Sequence, residues 1–427
     1  MPVVMKRNNI FLLFLSLFLC PLLKAQNDLQ FYLNSAFRNN PTLQESQNNI
    51  SVKKLDKSLT EAQYILPQIN LTANYLFVPY FNNDKIVTAN SGPNAVGYDP
   101  SITNGGLYSA QVNVSKNIFN GGVVDVYNYQ ADLQIKSNEL NYGLTKHNLE
   151  KDVIDQYINC WQAQELYILS TSTSDTLLQQ LSITKNLMMK GLVKQSDYLL
   201  LKVEFENQQL AALQAFASLK SSIYQLNVLA GIQDTSIVTL DNVKLNKTSN
   251  VGPSMFFNQY ENDSLLILNQ QDVFETKYYP QLNLFFNAGL NAVELNDIQK
   301  KFGLSAGFNF SLPIYDGSQK SITRQQSQIN LSTIVSNKKN QEVLIKNKIK
   351  ESSSQVEYYI NSLQSITSQL EDYNKIIILL NSELMHGQVS MVDYITIIKN
   401  YLDLKKNEIS SSAAYQQAVN QFNYWNW

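Results

Sequence analysis

Few side chains in this sequence are spaced for chemistry, and the sites they could form are narrow in kind. The histidines, His147 and His386, are two in number and have no Cys or Glu pair beside them at ligand spacing, so no metal centre is expected. The stretches "IFNGG" (Ile118–Gly122) and "IYDGS" (Ile314–Ser318) carry turn glycines. They lack the Lys-Ser/Thr pair of a phosphate cradle, so no nucleotide or other cofactor is expected. No nucleophile–base motif is visible and no catalytic residue is assigned; the chain does not read as an enzyme. Two carboxylates remain, Asp197 and Asp393, each six residues after a glycine, Gly191 and Gly387. One reading is capping. Ser390-x-x-Asp393 has the form of a capping box, and a carboxylate in a first helical turn faces the positive end of the helix dipole. The other reading is collective: in a symmetric assembly, inward-facing copies would ring a pore entrance with negative charge.

These aspartates belong to a repeated reversal. "LMMKGLVKQSDYLLLK" (Leu187–Lys202) recurs as "LMHGQVSMVDYITIIK" (Leu384–Lys399). Such self-similarity at a fixed period decides architecture before any single motif does. "YILPQINL" (Tyr64–Leu71) likewise recurs as "KYYPQLNL" (Lys277–Leu284), and "IFNGG" as "IYDGS". Gly121 to Gly317 and Gly191 to Gly387 are both 196 positions, so the span from turn to reversal is 70 residues in each half. From Pro67 to Gly121 is 54 residues, but from Pro280 to Gly317 only 37. The surplus falls in a Gly-, Pro- and Asn-rich stretch, about 79–107, that reads as a loop.

Two periodicities fill each half. Short segments alternate apolar with small or polar residues, as in Ile69, Leu71, Ala73 and Tyr75 against Gln68, Asn70, Thr72 and Asn74. Four are expected: strands about 66–78, 108–119, 280–290 and 302–312. Each is near the length of a membrane-spanning strand. The 70-residue spans contain no proline and repeat apolar residues at three and four, as in Leu149, Val153, Ile154, Tyr157 and Ile158. At about 1.5 Å per residue, each helix would run roughly 100 Å. That length belongs to a coiled coil or a helical tube. Shorter helices return after each reversal, and another is expected at about 257–277. Four membrane strands cannot close a barrel, and open edges are not tolerated in hydrocarbon. Three copies would give twelve strands with an open interior, whereas eight fill with side chains.

The remaining composition agrees with export. Residues 1–25 read as a signal peptide: Lys6 and Arg7, an apolar run of eleven from Ile10 to Cys20, and a small residue, Ala25, before the cut. Cys20 leaves a lipoprotein reading open. A cut at Ala25 leaves Cys160 alone, so stability must come from burial or assembly rather than from a disulfide. The formal net charge of −2 implies no pull toward nucleic acid. The expected organisation is a signal peptide at 1–25, a first structural repeat at 26–231 with its tip near 191, an irregular connection at 232–255, and a second repeat at 256–427 with its tip near 387.

The duplicated helix–strand–strand–helix order, "LPQINL" and "YPQLNL", "NIFNGG" and "PIYDGS", and the reversals "KGLVKQSDY" and "HGQVSMVDY" together resemble the TolC family of outer-membrane efflux channels. The resemblance covers essentially the whole mature chain. It implies a mixed α and β membrane protein: a homotrimer whose twelve-stranded β-barrel lies in outer-membrane lipid, with a long α-helical barrel in the periplasm of a Gram-negative bacterium. It also implies a periplasmic adaptor and an inner-membrane transporter as partners, in efflux or type I secretion. In the family, short Val-Gly-Leu or Val-Gly-Thr sequences at the helical tips contact the adaptor. The matching positions are Met189 or Lys190, Gly191 and Leu192, and then His386, Gly387 and Gln388. The docking candidates are thus Gly191, Leu192, Val193, Gly387, Gln388 and Val389. Asp197 and Asp393 match aspartates of the closed entrance. The family's entrance arginine and tyrosine fall at Val389 and Leu384, so that polar network is missing. A surface-exposed structural or adhesive coiled-coil protein is the rival reading; it would not need four amphipathic strands.

Overall fold

The computed structural model describes residues 28–76, 80–82, 85–87, 108–249, 252–292, 298–385 and 388–427. The expected signal peptide, most of the 79–107 loop, and the tip residues His386 and Gly387 lie outside these. Along the chain come α1 (Leu29–Asn39), α2 (Pro41–Tyr64), β1 (Gln68–Tyr75), β2 (Tyr80–Asn82), β3 (Lys85–Val87) and β4 (Tyr108–Phe119). There follow α3 (Val123–Met189), α4 (Gln195–Ala230), α5 (Asn258–Glu275), β5 (Gln281–Ala292), β6 (Phe302–Ser311), α6 (Gln319–Met385) and α7 (Met391–Trp425). The two long helices, α3 and α6, have 67 residues each. Among the described residues, no helix is long and apolar enough to cross a membrane.

Contacts divide the chain into two compact units, and each draws on both sequence repeats. One unit holds residues up to 45, 142–256 and 340–427; the other holds 46–141 and 257–339.

In the first unit, the apolar stripe of α3 (Leu149, Val153, Tyr157, Ile158) packs on Tyr32, Leu33 and Ala36 of α1 and on Leu219, Ile223 and Leu226 of α4. Gly231 ends α4 in the left-handed region, at φ 63°. Residues 232–249 form neither helix nor strand, yet their backbone groups are taken up by amide side chains. Gln164 both donates to the Leu240 carbonyl and accepts from its N–H, at 3.1 and 2.7 Å. Gln416 accepts from the Leu245 N–H at 2.8 Å, and Asn423 from that of Thr248 at 2.8 Å. The abundant Asn and Gln of the sequence thus do the pairing that a strand ladder would otherwise do.

In the second unit, β1, β4, β5 and β6 form one antiparallel sheet in that order, with β1 and β6 at its edges. A separate two-stranded ribbon, β2–β3, lies within the stretch read as a loop. Tyr64 of α2 stacks on Tyr127 of α3 at 5.1 Å. On α5, Asn262 and Asn269 donate to the carbonyls of Leu133 and Val126 on α3. The helix expected at about 257–277 is α5, extended by a 3-10 turn at Thr276–Tyr278.

Candidate functional site

The sheet is amphipathic in register, row by row. Ile69, Val114, Phe286 and Ala306 are aligned across the four strands; so are Leu71, Val112, Ala288 and Leu304, and then Ala73, Ala110, Leu290 and Phe302. The rows between them are Asn70–Asn113–Asn287–Ser305 and Thr72–Gln111–Gly289–Gly303. Because side chains alternate with period two, the first set lies on one face and the second on the other. The apolar face is bare: Leu71 is 77% exposed and Phe308 76%. A soluble sheet would bury that face. Lys116 is the one charge within these four strands. On the polar face, Phe285 lies over Gly307, where an added Cβ would come within 2.6 Å of the ring. At Gly289 a Cβ would come within 2.2 Å of the Ala110 carbonyl oxygen, so β4 and β5 can meet closely only because that side chain is absent.

Two related turns lead from the sheet into the long helices. Asn120 accepts from the Gly122 N–H at 3.2 Å, with Gly121 and Gly122 at φ 61° and 88°. In the second turn Asp316 takes the same place. It accepts from the N–H groups of Ser318 and Lys320 at 2.9 and 2.7 Å, and from the Tyr278 hydroxyl. Those bonds hold the Asp316 carboxyl below its usual range. Beside it, Arg324 grips Glu275 through Nε and Nη2 at 2.7 and 2.9 Å, and Lys320 reaches the same carboxylate at 3.0 Å. Arg324, more than Lys320, pulls the Glu275 carboxyl down to about 2.

In the first unit the reversals are described on both hairpins. The Leu192 N–H bonds the Leu187 carbonyl at 3.0 Å, and Gly191 stands at φ 74°. This is the closure of a helix end that needs a left-handed residue. The Gln388 N–H bonds the Glu383 carbonyl at 3.0 Å, the same span in the second tip. Leu192 and Gln388 are exposed, while Val193 and Val389 are half-buried. Asp393 is exposed, and Ser390 accepts its N–H at 3.1 Å while donating to its carboxylate at 2.7 Å. Asp197 is half-buried on the first turn of α4, whose cap residue, Lys194, makes no side-chain capping bond. Capping chemistry therefore occupies Asp393 and has no counterpart at Asp197.

Behind the tips lies an apolar cluster of Leu177, Leu201, Leu384, Met391, Tyr394, Ile398 and Leu402, with Val389 packed against it. Leu384 and Val389 thus join α3, α4, α6 and α7 by packing. One ion pair adds to it, Lys399 to the buried Glu204 at 2.9 Å.

No protein-family model matches the chain, and no curated protein does. Solved structures do match. CusC, whose crystal structures concern conformational changes accompanying folding and transmembrane channel formation, aligns at a TM-score of 0.74 with 13% identity, over 93% of this chain and 91% of its own. The CmeC outer membrane channel of Campylobacter jejuni aligns at 0.72 with 13% identity, over 93% and 85%. The outer membrane protein VceC of Vibrio cholerae aligns at 0.71 with 11% identity, over 93% and 96%. This is the TolC channel fold.

The sheet leaves its apolar face exposed, and at the tips Leu192 and Gln388 are exposed. Sequence reasoning missed two clusters. One is Glu275–Arg324–Lys320, whose only sequence signal is the spacing of Lys320 and Arg324 on one helical face. The other is His147, stacked between Tyr424 at 4.7 Å and Trp427 at 4.2 Å, with its Nε2 2.9 Å from the Tyr424 carbonyl oxygen. Burial lowers the pKa of His147. Among the described residues, no group of His, Cys, Asp or Glu is arranged to hold a metal.

Proposed function

We propose that the chain is an outer-membrane channel of Gram-negative bacteria. It acts without catalysis, conducting substrates outward from a periplasmic adaptor and an inner-membrane pump, in efflux or type I secretion. The observation that carries this reading is the sheet: an apolar face left bare, an uncharged polar face, and two open edges. Hydrocarbon satisfies the first, a water-filled lumen the second, and neighbouring copies the third. Three copies supply twelve strands, enough for an open interior.

On this reading residues 1–25 are a signal peptide, 26–231 and 256–427 are the two repeats, and 232–255 is the connection between them. The 79–107 loop faces the outside of the cell. The tips dock the adaptor through Gly191, Leu192 and Val193 and through Gly387, Gln388 and Val389. Asp197 and Asp393 line the entrance. The likeness of fold to CmeC and VceC supports the reading, as does the absence of charge from the sheet's polar face. The test is mass measurement in detergent, followed by conductance in a planar bilayer. A three-copy particle that conducts ions is expected. A stable single copy in native membranes would overturn the reading.

A further inference from the structure

The single charge of the four strands stands on the wrong face for a water-filled lumen. Lys116 of β4 is opposite Leu284, and Leu284 is opposite Phe308. Pairing along β4 stays regular as far as Asn117. Alternation therefore puts Lys116 on the apolar face with Val112 and Val114. The lysine is exposed, and so are its row-mates, Leu284 at 43% and Phe308 at 76%. The four strands hold no carboxylate, and among the described residues Lys116 forms no ion pair. Because β4 lies between β1 and β5, contacts at the sheet's edges leave the ammonium uncovered.

Lys116 is also near one end of that face. It lies close to the end of β4 that leads into α3, while Tyr108 starts the strand at the other end and its ring packs 5.1 Å from Tyr75. From Tyr108 to Lys116 is eight positions, or about 27 Å along the strand at about 3.4 Å each. With the tilt of about 40° usual for barrel strands, this becomes about 21 Å across a membrane, a little less than the apolar band of about 25 Å. Tyrosines thus mark one rim of the band and the lysine the other. A lysine at the bilayer midplane is costly, whereas one at the rim can lay its stem along apolar neighbours and lift its ammonium to the polar level.

Resting on the reading of the chain as an outer-membrane channel, we propose that Lys116 binds the phosphate of an anionic glycerophospholipid in the leaflet on the side of the long helices, with Leu284 and Phe308 against its acyl chains. Lipid phosphates supply the anionic oxygens at that level, and an ammonium bonds them with charge assistance. An anionic headgroup is preferred to a zwitterionic one, whose own ammonium competes for the phosphate. Each copy carries one such site, and the bound lipid fixes the depth at which the sheet sits.

Mass spectrometry of the intact particle, released from detergent and titrated with dioleoyl phosphatidylglycerol or dioleoyl phosphatidylcholine, tests the site. Particle mass and bilayer conductance are measured first for the wild-type chain and each variant. The wild-type particle should retain phosphatidylglycerol in preference to phosphatidylcholine. Lys116→Gln should bind phosphatidylglycerol about fivefold more weakly, the share of one lysine at a lipid surface, with mass and conductance unchanged. Lys116→Arg should keep the binding, as should Lys346→Gln, which removes an exposed lysine of α6. Soluble glycerol 3-phosphate, which has the phosphate without the chains, should not displace the lipid. A three-copy, conducting particle that binds phosphatidylglycerol equally with Lys116 or Gln there, or shows no preference over phosphatidylcholine, would overturn the site and leave the channel reading standing. Displacement by glycerol 3-phosphate would overturn the lipid as occupant. A single-copy, non-conducting wild-type chain would remove the channel reading and the site with it.

Discussion

Gly191 offers the cleanest separation of folding from docking. Its φ of 74° is one that residues with a side chain adopt at a cost of about 1 kcal/mol. Nothing else opposes a substitution: a Cβ built there meets no heavy atom within 4 Å. The bonds closing the tip, from the Gly191 N–H to Met188 and from the Leu192 N–H to Leu187, are backbone bonds and survive. Against a typical domain stability of about 5–15 kcal/mol, the loss is small. Gly191→Trp should therefore leave particle mass and heat resistance on gels unchanged. If the tip docks an adaptor as proposed, the indole would stand in the adaptor's place, so adaptor co-purification and export should fall to background. Gly231 is the control. It too is left-handed, at φ 63°, but its Cβ would lie 2.6 Å from the Cβ of Asn39. Gly231→Ala must displace Asn39 from the Ala230 carbonyl, so it should lower the yield of assembled protein while the particles that form still bind adaptor. Gly387→Trp, in the tip closed by the Gln388 N–H, should behave as Gly191→Trp does. Normal export and normal adaptor capture by Gly191→Trp would refute the argument and leave the glycine as a helix ending.

Three further outcomes are expected. Asp197→Asn combined with Asp393→Asn should keep adaptor capture and reduce cation preference in single-channel recordings; unchanged selectivity would return both aspartates to local helix chemistry. A tag inserted within residues 79–107 should be labelled on intact cells, and labelling only after outer-membrane lysis would invert the topology. Burial lowers the pKa of His147, opposed in part by its bond to the Tyr424 carbonyl and by Glu150. The unfolded chain then binds a proton before the folded one, so stability is full above the usual histidine pKa of about 6.5 and declines as pH falls below it. Protection of the Asn420–Trp427 amides, taken relative to their intrinsic exchange rates at each pH, should fall as pH drops below about 6.5 in the wild-type chain. In His147→Phe that slope should vanish, and a slope that persists would acquit His147.

Much of this architecture was legible because repetition writes it twice. The alternation in "QINLTANY" placed one face of β1, and the equal distances between turns and tips placed α3 and α6 before any contact was known. The turn glycines were legible for a similar reason, since Gly121, Gly191 and Gly317 all take positive φ where a helix or strand must turn sharply. What could not be read depends on how distant segments meet. Glu275 and Arg324 are 49 residues apart, and their ion pair exists only because α5 lies beside the start of α6. His147 and Trp427 lie 280 positions apart, and neither shows a periodicity that announces the stack. The 232–249 connection looked irregular because its partners are the side chains of Gln164, Gln416 and Asn423 rather than a neighbouring strand. For the tip aspartates the sequence showed equal spacing, but the capping serine stands in front of only one of them.

The open strands β1 and β6 also bear on the order of events during biogenesis. Each carries a row of N–H and C=O groups that water can satisfy and hydrocarbon cannot. On the proposed channel reading, a lone copy is therefore disfavoured in hydrocarbon and presents to water a bare apolar face and two sticky edges of the sort that drive aggregation. Insertion becomes favourable only once partners meet, so its rate should rise more steeply than in proportion to the concentration of exported chains. On that reading, overproduction of the chain should yield aggregates before it yields channels.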